Sequence, residues 1–418
     1  MLSSKERSRL KKISELLYTA SSRLRILRTI SWSGRVRYMF FRNKGEKIPE
    51  VEYVPYDPTA VTEDLSQARR LLQDSAYDEW LLKKAKEIEL SANLLANCGT
   101  REFFNISSQI YGLPNSKLHD GSTTPLDLAR KFEAIIDSFQ KDPVKNVQIE
   151  RISADEMCAR IARSAKNTFG NLAPEVIVVD ELSAKATATS RKIKIRKKGR
   201  FYGKDVQQLI NHEALVHVAT TINGRAQESM RILGANYGAV TKTQEGLAVF
   251  SEFITGSIDI ERMRRLVDRV LAIRMAIDGA DFIEVYRFFM ARADSKNQAF
   301  ENARRVFRGG VLTGGAPFTK DIVYLDGLIR VHNFFRSAVS RSREDVLRLV
   351  FAGKMELDDI PIIAKMAKDG LVKTPEFIPP WASDLNFLIC YFAFSVFIDN
   401  IDYKKVGEYY DELLDKYL

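Results

Sequence analysis

The segment NHEALVH, residues 211–217, places two of the chain's four histidines on either side of a glutamate. A catalytic zinc needs three nitrogen or oxygen ligands and a fourth position that stays open to water. His212 and His217 are therefore predicted to bind zinc. Glu213 stands beside them and is predicted to act as the general base, which takes a proton from the attacking water.

The spacing of the two histidines predicts an irregular helix. They are five positions apart, one more than in His-Glu-x-x-His peptidases. Residues i and i+5 of a regular helix differ by about 140° around its axis, so the two imidazoles would point apart. A wide turn with i→i+5 hydrogen bonds would bring His217 back over His212, and such turns are frequent at functional sites. We predict this turn at 214–217, inside a site helix at about 204–222.

A second helix is predicted to supply the third ligand. It contains QEGLA at 244–248 and is expected to begin with Thr243 as its cap. Glu245 follows His217 by 28 positions, which suits two packed helices with a connecting turn. Glu245 is therefore the predicted third ligand. Glu252, about 10 Å further along the axis, is predicted to orient an imidazole as a hydrogen-bond acceptor.

Other readings of these acids and histidines stay open at this point. Glu245 is also an acid near a helix start, where it would complement the helix dipole. Glu228 or Glu252 would replace it if it did not reach the metal. His332 is predicted to be structural, because nothing near it in the sequence completes a site, and His119 carries no signal.

Two motifs resemble those of a known family. The stretch 212–227, followed by QEGLA at 244–248, resembles the QEGLA-motif family of zinc metallopeptidases, which is related to the microtubule-associated tyrosine carboxypeptidases. The similarity extends from about 111 to 330, and includes RVFRGG at 305–310 and FTKD at 318–321. It therefore covers the centre of the chain and not its ends.

The resemblance implies both an activity and a fold. It implies Zn²⁺ held by His212, His217 and Glu245, with Glu213 as general base, and a carboxypeptidase mode. It implies an α+β, mainly α fold with a gluzincin-like zinc peptidase core and a small β-sheet beside the active-site helix. It does not imply a tubulin substrate, because the flanking regions look unlike the microtubule-binding parts of those relatives.

Three further residues are candidates for contacts with the substrate. Peptide hydrolysis develops negative charge on the carbonyl oxygen, and preorganised donors stabilise that charge. Tyr324 and Arg308 are the predicted donors, because each lies near a glycine-rich turn in a stretch that resembles the family motifs. Arg225, just after the site helix, is predicted to bind a substrate carboxylate.

Two short runs predict strands ahead of the site helix. VIVV at 176–179 is β-branched, and KIKIR at 192–196 alternates charged and apolar residues. The second is predicted to be an edge strand on the rim of the zinc cleft. There it would pair with an extended peptide, while Lys194 and Arg196 attract an acidic C-terminal segment. Alternatively, these charges only protect an exposed edge from aggregation.

Composition predicts three regions in a globular chain of 418 residues. They are a basic amphipathic N-terminal helix with a linker (1–60), an N-terminal helical layer (61–145), and the zinc peptidase catalytic domain with C-terminal helices (146–418). Residues 1–50 hold 13 Lys or Arg against 4 Asp or Glu. This helix either docks on the body with solvated charges or contacts an acidic surface.

The remaining features bound the cellular setting. The three cysteines form no CxxC pair, which favours a reducing compartment, so a cytoplasmic location is predicted. The longest apolar run, 385–398, is shorter than a membrane span and predicts a buried core helix. Nucleic acid ranks last among the partners, and a steep salt dependence of duplex affinity would be needed to support it.

Two functional hypotheses follow from the sequence. The first is a zinc-dependent metallopeptidase that removes C-terminal residues from peptides or proteins. The alternative is a regulatory or scaffold protein that retains the metal site without turnover and acts through its basic N-terminal helix. The two differ in whether Glu213 is needed for function.

Overall fold

The computed structural model describes residues 2–139, 151–180, 182, 184–189, 191–293, 295–398 and 401–416, and it is mainly helical with a small sheet, as predicted. The α-helices, in chain order, are α1 (Ser4–Ser22), α2 (Ile26–Thr29), α3 (Gly34–Arg42), α4 (Thr59–Arg70), α5 (Ala76–Ala96), α6 (Arg101–Tyr111), α7 (Pro125–Phe139), α8 (Ala154–Phe169), α9 (Gly203–Leu209), α10 (Ala219–Arg225), α11 (Thr241–Ile254), α12 (Ile260–Ile277), α13 (Phe282–Met290), α14 (Lys296–Phe307), α15 (Val323–Ser340), α16 (Glu344–Leu349), α17 (Ile360–Lys368), α18 (Pro380–Ser383), α19 (Leu385–Ile398) and α20 (Tyr403–Asp415). The strands are β1 (Arg151–Ile152), β2 (Glu175–Val179), β3 (Ala186–Ala188), β4 (Lys192–Arg196) and β5 (Phe201–Tyr202).

Side chains cap many of these helices at their first turn. A serine, threonine or aspartate just before the helix accepts a hydrogen bond from a backbone N–H that has no partner within the helix. Such caps begin α1, α5, α6, α8, α12, α13 and α14 through Ser3, Ser75, Thr100, Ser153, Asp259, Asp281 and Ser295. The helix starts are therefore largely set by local sequence.

The three-stranded sheet has the order β2-β4-β3. β4 pairs in parallel with β2 and antiparallel with β3, so it is the central strand. The prediction that 192–196 forms an edge strand is therefore wrong. Alternation of charged and apolar residues indicates that one face of a strand is buried and the other exposed. It does not indicate whether other strands pair with that strand on one side or on both. β3 is the strand that lies against the site helix.

The site helix, residues 203–225, runs through three consecutive segments. α9 leads into a π-helix at Ile210–Val218, and α10 continues to Arg225. The predicted wide turn is thus confirmed, and it is longer than the single turn expected at 214–217. Its i→i+5 hydrogen bonds change the angular step, so residues five apart can share a face.

α11 crosses α15 in close contact at a pair of glycines. A Cβ added to Gly246 would lie 2.4 Å from the backbone carbonyl of Gly327, and one added to Gly327 would lie 2.4 Å from the carbonyl oxygen of Lys242. The glycine of QEGLA therefore lets two backbones touch. α11 begins at Thr241 after an N-cap without a side-chain bond, so the predicted cap at Thr243 is wrong.

Gly246→Ala is expected to destabilise the fold by about 1–3 kcal/mol, because the new methyl group meets backbone that cannot move aside cheaply. The free energy of unfolding in urea would measure this. Gly407→Ala, in α20, is the matched control, because nothing lies within 4 Å of its added Cβ. The control should be neutral or stabilising by up to about 1 kcal/mol. Equal stability of the two variants would contradict the close crossing.

The basic N-terminal helix α1 docks on the body of the protein. Leu10, Ile13 and Leu17 are buried in the main hydrophobic core, which confirms the amphipathic prediction. Arg9 forms an ion pair with Asp78 of α5. Three lysines of α1 remain exposed: Lys5, Lys11 and Lys12. Contact with an acidic surface therefore stays a prediction, as does the division into three regions, whose boundary at 145/146 lies outside the described residues.

The C-terminal helix α19 differs from the prediction of a buried core helix. Leu388 and Phe392 are buried, whereas Phe394 and Phe397 are 60% and 63% exposed. The run is apolar on all sides, and one face finds no cover among the described residues. Among all the helices that the structure describes, none is both long enough and apolar enough to cross a membrane.

Candidate metal centre

His212, His217 and Glu245 converge on one point between the site helix and α11. The Nε2 atoms of His212 and His217 lie 3.5 Å and 3.6 Å from Oε2 of Glu245. The three ligand atoms all lie within 4.8 Å of one another. The imidazole centroids are 4.9 Å apart, because the π-helix returns His217 to the face of His212.

The donor set fits a tetrahedral metal ion. Oε2 of Glu245 is buried and has no hydrogen-bond partner among the described residues. Its other oxygen, Oε1, accepts hydrogen bonds from the Tyr324 hydroxyl at 3.2 Å and from Nζ of Lys320 at 3.4 Å. Zinc bonds of about 2.0–2.1 Å place tetrahedral ligand atoms a little over 3 Å apart. The spacing here is close to that, so an unpartnered carboxylate oxygen faces two imidazole nitrogens at metal-binding range.

The electrostatics of the centre favour an anionic Glu245. Burial raises the pKa of this carboxyl, but Lys320, His212 and His217 outweigh the burial and hold the pKa well below its usual range. Burial lowers the pKa of His212, but the nearby carboxylates of Glu245 and Glu252 raise it to about 10. Without a cation between them, a proton on His212 offsets the charge of Glu245, and a metal ion would take over that role.

Glu252 binds the imidazole of His212 at Nδ1, the nitrogen that does not face Glu245. Its Oε1 accepts a 2.6 Å hydrogen bond from Nδ1 of His212, as predicted, and it is fully buried. Arg262 donates two bonds of 3.0 Å to the same carboxylate, and Gln208 donates one of 2.9 Å. Burial raises the pKa of Glu252, but Arg262 and His212 lower it to about 2. The charged carboxylate keeps a proton on Nδ1 of His212, so that Nε2 is the nitrogen presented to the point shared with His217 and Glu245.

Glu252→Gln is expected to weaken metal binding by about 10–100-fold, because the amide no longer fixes the tautomer and orientation of His212. Competition with a fluorescent chelator would measure the zinc dissociation constant. Glu261→Gln, an exposed acid on α12, is the control and should leave that constant unchanged. An unaltered zinc affinity in Glu252→Gln would show that His212 needs no orienting partner.

Glu213 lies next to His212 within the π-helix and is buried. Its carboxylate has no hydrogen-bond partner among the described residues, so it makes no hydrogen bond that stabilises the fold. A carboxylate that no described side chain binds, next to a predicted metal ligand, is available for the general-base role that the sequence predicts.

A sequence profile described as microtubule-associated tyrosine carboxypeptidase matches residues 38–400. This chain belongs to that family. The resemblance seen in the motifs is therefore confirmed, and it extends well beyond 111–330 on both sides. No curated protein matches the chain.

In this member of the carboxypeptidase family, Tyr324 contacts Glu245 and several cationic side chains. Its hydroxyl oxygen accepts a 3.3 Å hydrogen bond from Arg305, which also pairs with Asp321. The guanidinium of Arg269 lies 4.6 Å from the Tyr324 ring centroid. Lys320 lies 5.1 Å from the same centroid. Tyr324 thus contacts Glu245 through its hydroxyl group and is flanked by Arg269 and Arg305.

Four other predicted residues are not brought to the three ligand atoms. Arg308 follows the last residue of α14 and is buried over the Phe318 ring at 5.9 Å, and among the described residues no contact joins it to these atoms. Lys194 is exposed and Arg196 is partly buried on the central strand β4, away from any free edge. Arg225 is exposed beyond the centre. Their roles stay predictions, and only Tyr324 among the substrate candidates touches Glu245.

Sequence reasoning missed Lys320 and Arg305. Both lie inside the stretches 318–321 and 305–310, which carried the family resemblance. The signal was therefore present, but no spacing rule connects those stretches with Glu245. Arg262 was missed for the same reason, since it reaches Glu252 from a third helix, α12.

Proposed function

We propose that this protein is a zinc-dependent metallopeptidase with a gluzincin-like core that acts as a carboxypeptidase on peptides or proteins. His212, His217 and Glu245 would hold the zinc. The observation that carries the proposal is the buried, unpartnered Oε2 of Glu245, which lies 3.5 Å and 3.6 Å from the Nε2 atoms of His212 and His217. Membership of the carboxypeptidase family supports the reaction class.

Each residue would have a defined task in the reaction. Zinc, when bound, supplies Lewis acidity that polarises the scissile carbonyl and makes water a nucleophile near neutral pH. Glu213 accepts the proton of the attacking water and later gives it to the leaving amine. Tyr324, whose hydroxyl now donates to Oε1 of Glu245, would move this hydrogen bond to the oxygen on which negative charge develops, while Lys320 stays on Oε1. Glu252 and Arg262 keep His212 in place throughout.

Tyr324→Phe is expected to lower kcat by about a hundredfold, the effect of removing one donor to a developing oxyanion. Zinc content and KM should stay close to those of the unaltered protein, since Lys320 still holds Oε1 of Glu245 and the ring still packs against Arg269. Steady-state hydrolysis of a peptide with a free C-terminus would give both constants. An unchanged kcat would remove Tyr324 from the mechanism.

The charge around the centre favours an acidic or carboxylate-bearing substrate. Arg269, Arg305 and Lys320 surround Tyr324. Arg269 and Arg305 both pair with Asp321, and Lys320 pairs with Glu245, so three cations face two carboxylates. The family's name describes tyrosine removal and an association with microtubules. For this chain we propose the wider class of C-terminal residues, including those at the end of acidic segments.

Metal analysis followed by C-terminal profiling of peptides tests the proposal. The purified protein should contain zinc, and treated peptides should lose residues from the C-terminus only. A protein that binds zinc but cleaves no member of a varied peptide library would favour the alternative, a regulatory protein with a retained metal site. A protein without affinity for zinc would refute both hypotheses.

A further inference from the structure

The apolar helix α19 is fixed to the body of the protein through one of its faces. Leu388 and Phe392 lie on that face and are buried in the main hydrophobic core. The Phe392 ring lies 5.3 Å from the imidazole of His332 on α15. Substitutions on the opposite face of α19 therefore leave this attachment in place.

The opposite face of α19 is exposed and carries no charge. Phe387, Cys390, Phe394 and Phe397 follow one another at steps of three and four residues, so they form one stripe along the helix. All four are exposed. The sequence of α19 contains no Asp, Glu, Lys or Arg at all. This face is consequently a row of aromatic rings around a central cysteine.

The next helix, α20, exposes an apolar stripe of its own. Val406, Tyr410 and Leu413 lie four and three residues apart, with Tyr409 and Leu414 beside them. Between residues 405 and 415, every residue except Gly407 is exposed. An amphipathic helix normally buries such a stripe against another element. In the described part of the chain, the stripe of α20 stays in solvent.

The exposed apolar surface of α19 and α20 is as large as one side of a stable dimer interface. An aromatic side chain buries about 150–250 Å², and five of them are 39% to 63% exposed here: Phe387, Phe394, Phe397, Tyr409 and Tyr410. With the exposed aliphatic side chains of the same helices, they offer roughly 800 Å² per chain. A standard protein–protein interface buries about 800 Å² on each partner, and a typical monomer exposes a smaller apolar patch.

The charge of this region favours a protein partner over a lipid surface. Residues 384–418 hold seven Asp or Glu and three Lys. The charged residues nearest to α19 in the sequence, Asp384 and Asp399, are both acidic. Helices that lie on membranes carry Lys or Arg on their polar face, and anionic lipids attract those cations. This acidic region would be repelled by the same lipids.

An uncharged aromatic face fits a second copy of itself. The cores of interfaces are depleted in charged residues and enriched in aromatic ones, and homodimer interfaces are the more apolar. Most homo-oligomers are twofold dimers in which the same patch is used on both subunits. Such a patch needs no complementary charge on the partner, and α19 offers none.

We propose that two copies of this chain form a twofold dimer in which the exposed faces of α19 pack against each other. The axis passes near the middle of α19, where Cys390 lies between Phe387 and Phe394. The apolar stripe of α20 extends the interface on each side. This inference goes beyond the proposed peptidase function and does not depend on it, because the attachment of α19 involves none of the three predicted metal ligands.

Size-exclusion chromatography with light scattering on the full-length protein tests the dimer. The unaltered protein should have twice the chain mass of 47.6 kDa. Phe394→Asp combined with Phe397→Asp should raise the dimer dissociation constant at least about a hundredfold, because two aromatic anchors are lost and two charges enter the interface core. Circular dichroism should show unchanged helix content, since both rings point away from the core. Leu172→Asp replaces an apolar side chain that is 54% exposed elsewhere, and it should remain dimeric.

A crosslinking experiment tests the same packing without altering any apolar side chain. A short bis-maleimide should join two unaltered chains through Cys390, and Cys390→Ser should abolish that product. A monomer at micromolar concentration, a dimer that survives the double substitution, or a dimer without the Cys390 crosslink would overturn the proposal. A monomer that binds phosphatidylcholine vesicles, and loses that binding on double substitution, would assign this face to a membrane instead.

Discussion

Glu213→Gln is expected to abolish peptide hydrolysis while zinc content and fold stay unchanged. The amide is almost isosteric with the carboxylate but cannot accept a proton from water. General bases contribute about 10²–10⁴-fold to rate, so kcat should fall at least into that range. Glu213 makes no hydrogen bond to another described residue, so its replacement should not disturb packing. Peptide turnover, zinc content and thermal unfolding of the same preparation would check all three expectations.

Glu228→Gln is the matched control for this substitution. Glu228 is also an acid close to the site helix, but it is exposed and pairs with Lys373 on the surface at 2.6 Å. Its turnover should equal that of the unaltered protein. If Glu213→Gln retained full turnover, the general-base assignment would fall, and a loss of zinc in that variant would assign Glu213 a structural role at the centre.

Glu245→Ala is expected to remove zinc and, with it, all hydrolysis. Glu245 is the one proposed ligand that comes from α11, and without it two imidazoles remain. Its loss also leaves Lys320 and the Tyr324 hydroxyl without their acceptor. Because loss of an orienting residue behind a ligand already costs about 10–100-fold in metal affinity, loss of the ligand itself should cost more than about a hundredfold.

Zinc retained after dialysis against a chelator would measure this effect, with Glu261→Ala as the control that keeps its metal. Circular dichroism would show whether the fold survives, since α11 lies in the core against α15. Full zinc occupancy in a folded Glu245→Ala protein would require another third ligand. Glu252 is poorly placed for that role, because its carboxylate is already held by Arg262, Gln208 and His212.

The sequence predicted the centre well because chemistry constrained it. Two histidines five apart can share a metal only if the helix widens, and the structure has a π-helix at that point. Likewise, Glu252 lies two turns beyond Glu245, where it is too far to share the metal but near enough to reach an imidazole. Both predictions used only helix geometry and the needs of a metal ligand.

Predictions that depended on neighbours were less successful. KIKIR at 192–196 was correctly predicted as a strand, but its place in the middle of the sheet depends on β2 and β3, which no pattern within the run reveals. The run at 385–398 was predicted to be buried, yet its composition cannot say how many sides other helices cover. Arg308 stood in the right motif but packs over the Phe318 ring, a contact that the motif itself does not reveal.

The amino-acid sequence by itself determined the irregular turn and the pairing of His212 with His217, because both depend on residues within a few turns of one another. Glu245, 28 positions further on, was predicted from the packing expected of a second helix and from the family motif. Tertiary structure alone decided that Lys320, Arg305 and Arg262 surround the centre, because they come from segments far from the site helix in the chain. The close crossing of α11 and α15 at Gly246 and Gly327 likewise joins distant backbones. Local propensity cannot encode such approaches, since their free energy comes from packing between elements rather than within them.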